Sequence, residues 1–71
     1  MPPARPKIRI LLVEDSPTDA RLVQSMAERA PNITLEITWV STLQKALERL
    51  RIPNIDLILL DLMLPDSPAQ E

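Results

Sequence analysis

Residues 7–15 read Lys-Ile-Arg-Ile-Leu-Leu-Val-Glu-Asp, an apolar, β-branched stretch that ends in two acids. Its second half is apolar on both faces, which is typical of a central strand in a parallel sheet. A second run over residues 55–60 is apolar without a break after Asp56 and leads directly into Asp61. The sequence therefore predicts two buried strands that each end at a carboxylate.

Two helices and one further strand are predicted between these strands. Ser16 and Pro17 supply an N-cap and a first helical residue, and Pro31 ends that helix. Residues 34–40 alternate between polar and apolar, as an edge strand does, and Ser41 is the predicted N-cap of the second helix. The residues expected on buried helix faces are Ala20, Val23, Met26, Ala27 and Ala30 in the first helix and Leu43, Ala46, Leu47 and Leu50 in the second.

The order strand, helix, strand, helix, strand indicates an α/β layer architecture with parallel strands. A chain of 71 residues has room for one small domain at most, and it buries only roughly 60% of its unfolded surface. We expect a disordered, proline-rich lead-in at 1–6, a folded part at 7–66 and an irregular tail at 67–71.

The composition excludes several classes of function. The chain has no Cys, no His and no Gly, which removes disulfides, Cys/His zinc sites, nucleophile systems that need His or Cys, and glycine-rich phosphate loops. A formal net charge of -2 and a single aromatic residue argue against a nucleic-acid surface. No apolar run reaches the roughly eighteen residues of a membrane span, and no signal peptide is evident, so we expect a cytoplasmic protein that does not enter a membrane.

Three acids follow the two predicted central strands: Glu14 and Asp15 after the first, and Asp61 after the last. Ligands bind at the carboxyl ends of strands in an open parallel sheet, and neighbouring strands lie about 4.8 Å apart, so these side chains should converge. Such an oxygen-only cluster suits Mg²⁺ or Mn²⁺. Acids at strand ends are also often helix caps or solvated loop residues, and the sequence leaves that alternative open.

Other polar and aromatic residues have structural explanations. Asp56 lies at the opposite end of the last strand from Asp61, where a structural role is favoured. Asp19 is explained by helix capping. Trp39 is expected to be a packing anchor at the rim of the sheet, and it lies far from the acids in sequence.

In this order, the residues resemble the receiver domains of two-component response regulators. The stretch Ile-Leu-Leu-Val-Glu14-Asp15-Ser-Pro17 is similar to the first strand and acidic pair of that family. The stretch Leu-Ile-Leu-Leu-Asp61-Leu-Met-Leu-Pro65 is similar to its phosphoacceptor strand. The resemblance runs from about residue 8 to residue 65 and implies a flavodoxin-like fold in which the first three strands lie in the order 2-1-3.

The resemblance also implies a function. Asp61 would take a phosphoryl group from a histidine kinase or a phosphotransfer protein and form an aspartyl phosphate. Glu14, Asp15, Asp61 and the backbone carbonyl of Met63 would hold Mg²⁺. We expect a signalling module rather than an enzyme, since an Asp-nucleophile hydrolase would need an acid where this sequence has Met63.

The sequence departs from that family in extent. Roughly the last two strands and three helices of the fold are missing, and with them the hydroxyl residue and the Lys that contact the phosphoryl group in the family. We therefore expect a truncated receiver. The alternative is a non-catalytic dimerisation or interaction fragment, because a third strand without a fourth would expose an apolar edge that favours self-association.

Overall fold

The computed structural model describes residues 5–61, which form a three-stranded parallel sheet with two helices. The elements are β1 (Lys7–Val13), α1 (Pro17–Glu28), β2 (Thr34–Val40), α2 (Leu43–Arg49) and β3 (Leu57–Leu60). The strands lie in the order β2-β1-β3, and β1 pairs in parallel with both neighbours. The predicted α/β architecture and the 2-1-3 order of a truncated flavodoxin-like fold are confirmed.

The core lies on the central strand. Leu11 and Val13 of β1 are fully buried, and Ala46 of α2 packs with them in the same cluster. The partly buried side chains that pack against this cluster are Val40, Leu43 and Ile55. The apolar second half of β1 therefore supplies the centre of the fold, as its position between two strands requires.

Each helix begins at a hydroxyl cap, although not at both of the predicted residues. The side chain of Ser16 accepts a hydrogen bond of 3.3 Å from the amide of Asp19 at the start of α1, as predicted. The prediction of Ser41 as the cap of α2 was wrong. Thr42 is the cap, and its hydroxyl accepts a 3.1 Å bond from the amide of Lys45.

The predicted buried faces of the helices are only partly buried. Ala20 and Ala46 are buried, but Met26 is 63% exposed, Leu47 is 60% exposed and Leu50 is 37% exposed, so the prediction was wrong for these three side chains. Three strands form a narrow sheet, and the small residues nearest to it take up the contact.

The third strand is shorter than predicted, and its exposure departs from the prediction of a buried strand but agrees with the exposed apolar edge expected of a truncated sheet. It begins at Leu57 rather than at Ile55, which packs on the core cluster instead. Its four residues are between 38% and 47% exposed. Asp56 precedes it and is structural: its carboxylate accepts a 2.8 Å bond from the amide of Arg9, and its own amide donates to the carbonyl of Arg9 at 2.7 Å.

Two residues of the segment predicted as a lead-in lie in the described part and contact the fold. The carbonyl of Pro6 accepts a 2.8 Å bond from the amide of Thr34, and the guanidinium of Arg5 donates to the carbonyl of Ala30 at 3.1 Å. Residues 1–4, the tail at 67–71 and the stretch 62–66 lie outside the described residues. Over residues 5–61, neither helix has the length and apolar character that crossing a membrane requires.

Candidate functional site

The strand register brings the acids to one edge of the sheet. Val13 pairs with both Val40 and Leu60, so the last residues of the three strands lie in one row. The next residues continue the ladder: the amide of Glu14 donates to the carbonyl of Val40, and the amide of Asp61 donates to the carbonyl of Val13, each at 3.0 Å. The backbones of Glu14 and Asp61 are therefore fixed side by side before their side chains are considered.

The carboxylates of Glu14, Asp15 and Asp61 meet at this edge. One oxygen from each of the three lies within 4.8 Å of the others. Asp15 is exposed, whereas Glu14 and Asp61 are partly buried. The convergence expected from the sequence is therefore present, and we call these three residues the acidic cluster. Met63, whose carbonyl was the fourth expected ligand, lies outside the described residues.

The donor set of the acidic cluster fits a small divalent cation. Oxygen ligands of an octahedral Mg²⁺ site lie roughly 3.0 Å apart when adjacent and about 4.2 Å apart when opposite, given Mg–O distances near 2.1 Å. The spacings reach up to 4.8 Å, slightly beyond that range, so an ion would have to draw the side chains closer or contact some of them through water. Exposure at Asp15 leaves room for the waters that Mg²⁺ usually keeps.

The surroundings of Glu14 are unfavourable for its ionised carboxylate. Burial raises the pKa of Glu14 above its ordinary value, and the negative charges of Asp61, Asp19 and Asp15 add to the rise. A 3.1 Å hydrogen bond from the amide of Ser16 to the Glu14 carboxylate opposes that rise. The net effect is a raised pKa, which a nearby cation would oppose by stabilising the ionised form.

Trp39 is a neighbour of the cluster that the sequence did not reveal. Its indole Nε1–H donates a 2.7 Å hydrogen bond to the backbone carbonyl of Glu14. Trp39 is 39% exposed, so it packs only in part at the rim, and it lies beside the acids in space although it is far from them in sequence. The ring is next to the cluster because β2 ends beside β1 and side chains lean along the strand.

The other acids singled out from the sequence lie apart from the cluster. Asp56 precedes the amino end of β3, whereas Asp61 follows its carboxyl end. Asp56 therefore lies at the opposite ends of the strands from Asp61, where it pairs with Arg9. Asp19 is in the first turn of α1, where its amide bonds to the Ser16 cap. The structural explanations of both residues agree with these positions.

A comparison with curated proteins gives one informative similarity. The chain is 38% identical over 58 residues to the autoinducer 2 sensor kinase/phosphatase LuxQ of Vibrio cholerae. The match covers 82% of this chain but 6% of LuxQ, so the chain spans a small part of that relative's length. No model of a known protein family matches the chain, and no solved structure gives a significant match. The similarity links the chain to a short segment of a signalling kinase/phosphatase.

Proposed function

We propose that the chain is the first three strands and two helices of a receiver domain, in which Asp61 accepts a phosphoryl group from a histidine kinase or a phosphotransfer protein. The observation that carries the proposal is the convergence of Asp61 with Glu14 and Asp15 at the carboxyl edge of the sheet. The similarity to a segment of a sensor kinase/phosphatase supports it. The same proposal places the module in the cytoplasm.

The reaction needs little from the protein beyond an oriented nucleophile. A carboxylate oxygen of Asp61 forms the new bond to phosphorus, while the bond from phosphorus to the donor's leaving group breaks and the leaving group departs with the electron pair. The backbone bond from Asp61 to Val13 holds the nucleophile at the end of β3. Glu14 and Asp15 add negative charge at the point where phosphoryl oxygens would arrive.

The combined negative charge of these carboxylates calls for a bound cation. Glu14, Asp15 and Asp61 would hold Mg²⁺, with the backbone carbonyl of Met63 as a further ligand. When bound, Mg²⁺ neutralises charge on the phosphoryl oxygens. The three carboxylates without a cation would repel an incoming phosphate.

The direct test uses a small phosphodonor, such as phosphoramidate or acetyl phosphate, with Mg²⁺ and the 71-residue chain. Intact mass spectrometry should show the gain of one phosphoryl group. Asp61→Asn should abolish the gain, because an amide is a poor nucleophile, and Asp19→Asn should keep it, because Asp19 lies outside the acidic cluster. A chain that folds and binds Mg²⁺ but never gains a phosphoryl group would contradict the proposal.

A second candidate function is a dimerisation fragment without phosphotransfer, and the exposure of β3 favours it. Among residues 5–61, β3 pairs with β1 alone, so its other edge presents backbone donors and acceptors. Its side chains, from Leu57 to Leu60, are all apolar and all exposed. An exposed, apolar edge strand is a template for pairing with another strand.

In this second candidate, we propose that a second copy of this chain covers the open edge of β3. The uncharged β3 is complementary to itself, and two copies related by a two-fold axis would pair their third strands antiparallel. Stable interfaces bury about 1,200–2,000 Å² in total, more than four paired residues supply, so we expect a weak and reversible dimer.

A further inference from the structure

Both backbone groups of Glu14 are bound to the end of β2. Its amide donates to the carbonyl of Val40 at 3.0 Å, and its carbonyl accepts from the indole Nε1–H of Trp39 at 2.7 Å. The first bond continues the sheet ladder, and any residue at position 40 can supply that carbonyl. The second comes from a side chain, so it depends on the identity of residue 39.

Glu14 lies where the chain leaves the sheet. Asp15 follows it, and Ser16 then caps α1, so the turn between β1 and α1 carries two of the three acids of the cluster. The amide of Ser16 also donates to the Glu14 carboxylate, which couples the side chain to the same turn. A rotation of the peptide between Glu14 and Asp15 would move both carboxylates relative to Asp61.

We propose that Trp39 is a positioning residue for the acidic cluster: its indole N–H fixes the Glu14 carbonyl and thereby sets the Glu14 and Asp15 carboxylates for a divalent cation. The inference rests on the proposed Mg²⁺ site. Groups that orient metal ligands typically contribute 10- to 100-fold to metal affinity. Because Trp39 acts on the backbone of a ligand and is partly exposed, we expect the lower end, about tenfold.

Trp39 also makes the cluster observable. It is the single Trp of the chain, so the indole N–H gives one resonance in a proton NMR spectrum. One side of the ring borders an open hollow lined by Val40, Ser41 and Lys45, which leaves it accessible to solvent quenchers. Mg²⁺ binding should shift the indole resonance in the unmodified chain, and Asp61→Asn should weaken that response because it removes a ligand from the cluster.

The test removes the indole N–H donor of Trp39 and keeps the shape of its ring. A chain of this length can be made by chemical synthesis, with Trp39 replaced by 3-benzothienylalanine, in which sulfur takes the place of the N–H. Trp39→Phe is the genetically encoded version. Calorimetric titration with Mg²⁺ should show about tenfold weaker binding for both changes. Urea unfolding of the same samples reports their stability.

The control separates positioning from general loosening of β2. Ile37→Val removes one methyl group from a half-buried residue of the same strand, away from the cluster. We expect it to lower stability without a comparable loss of Mg²⁺ affinity. Unchanged Mg²⁺ affinity in the benzothienyl chain, or a loss of Mg²⁺ affinity no larger than that of Ile37→Val, would overturn the role of Trp39 and leave the proposed metal site standing. An absence of Mg²⁺ binding in the unmodified chain would overturn the proposed metal site, and the inference with it.

Discussion

The amide of Asp61 donates a 3.0 Å hydrogen bond to the carbonyl of Val13, the last residue of β1. This bond extends the pairing of β1 with β3 by one residue, so Asp61 is placed next to Glu14 by the backbone register. The site is therefore a product of the sheet, and changes that weaken the sheet should weaken the site.

The first prediction concerns the core of that sheet. Leu11→Ala removes a fully buried side chain and should lower the free energy of unfolding by about 2–5 kcal/mol, a large part of the total stability of a small domain. Leu22→Ala, at a residue that is 60% exposed on α1, should change it by about 0.5 kcal/mol or less. Urea unfolding followed by circular dichroism measures both. Equal effects would contradict the observed burial.

The second prediction concerns the charge of Glu14. Because burial and neighbouring acids raise its pKa in the fold, its contribution to stability is present at low pH and is lost as pH rises through the folded value. Glu14→Gln should therefore stabilise the metal-free chain at neutral pH, since the amide oxygen can still accept the bond from Ser16.

Mg²⁺ should reverse the order of stability of the unmodified chain and Glu14→Gln. With the cation present, the unmodified chain should gain stability, and Glu14→Gln should gain less because it has lost a ligand. Urea unfolding in chelator and in Mg²⁺ checks both signs. Glu28→Gln, at an exposed residue of α1, is the control and should respond like the unmodified chain. A Glu14→Gln chain that is less stable in chelator would contradict the account of the cluster.

The third prediction concerns stability in acid. A hydrogen bond from Lys7, at 2.6 Å, lowers the pKa of Glu36, and the amide of Arg9 together with its guanidinium lowers the pKa of Asp56. Both ionised groups therefore stabilise the fold above their unfolded pKa values, and this contribution is lost as pH falls through the folded ones. Stability should therefore drop as pH falls below about 5.

Two neutral substitutions test the origin of that drop. The double variant Glu36→Gln, Asp56→Asn should lose less stability over the same pH range, as measured by unfolding at several pH values. Both groups are exposed, so high salt should weaken the effect of the Lys7 pair. A double variant with the same pH dependence as the unmodified chain would show that other carboxylates cause the drop.

The fourth prediction concerns the open edge of β3. Light scattering over a range of concentrations should show a reversible dimer that Leu59→Lys converts to monomer, because charged residues on an edge strand oppose pairing. Leu47→Lys, at an exposed residue of α2, should leave the dimer intact. A cooperatively folded monomer at high concentration, or equal loss of dimer in both variants, would contradict self-association through β3.

Much of the fold could be predicted from the sequence because local signals and burial agree in β1. The run from Ile10 to Val13 reads as a buried strand, and it occupies the centre of the sheet. The wrong cap of α2 arose where neighbouring residues carry the same signal. Ser41 and Thr42 both have a hydroxyl three residues before a helical amide, and it is Thr42 that accepts the capping bond.

The site was predictable in position but incomplete in contacts. Acids after parallel strands converge because the strand ends share an edge, which requires no knowledge of side-chain conformation. The bond from Trp39 to the Glu14 carbonyl depends on the side-chain conformation of Trp39, which the alternating pattern of β2 does not specify. The position of Trp39, one residue before the end of the neighbouring strand, was the available signal.

The most direct measurement locates the phosphoryl group. The chain is treated with a small phosphodonor and Mg²⁺, reduced with borohydride, which converts an aspartyl phosphate to homoserine, and analysed by peptide mass spectrometry. We predict homoserine at position 61, dependent on both the phosphodonor and Mg²⁺. Homoserine at position 15 instead, or at no position in a folded chain, would contradict the assignment of Asp61 as the phosphoacceptor.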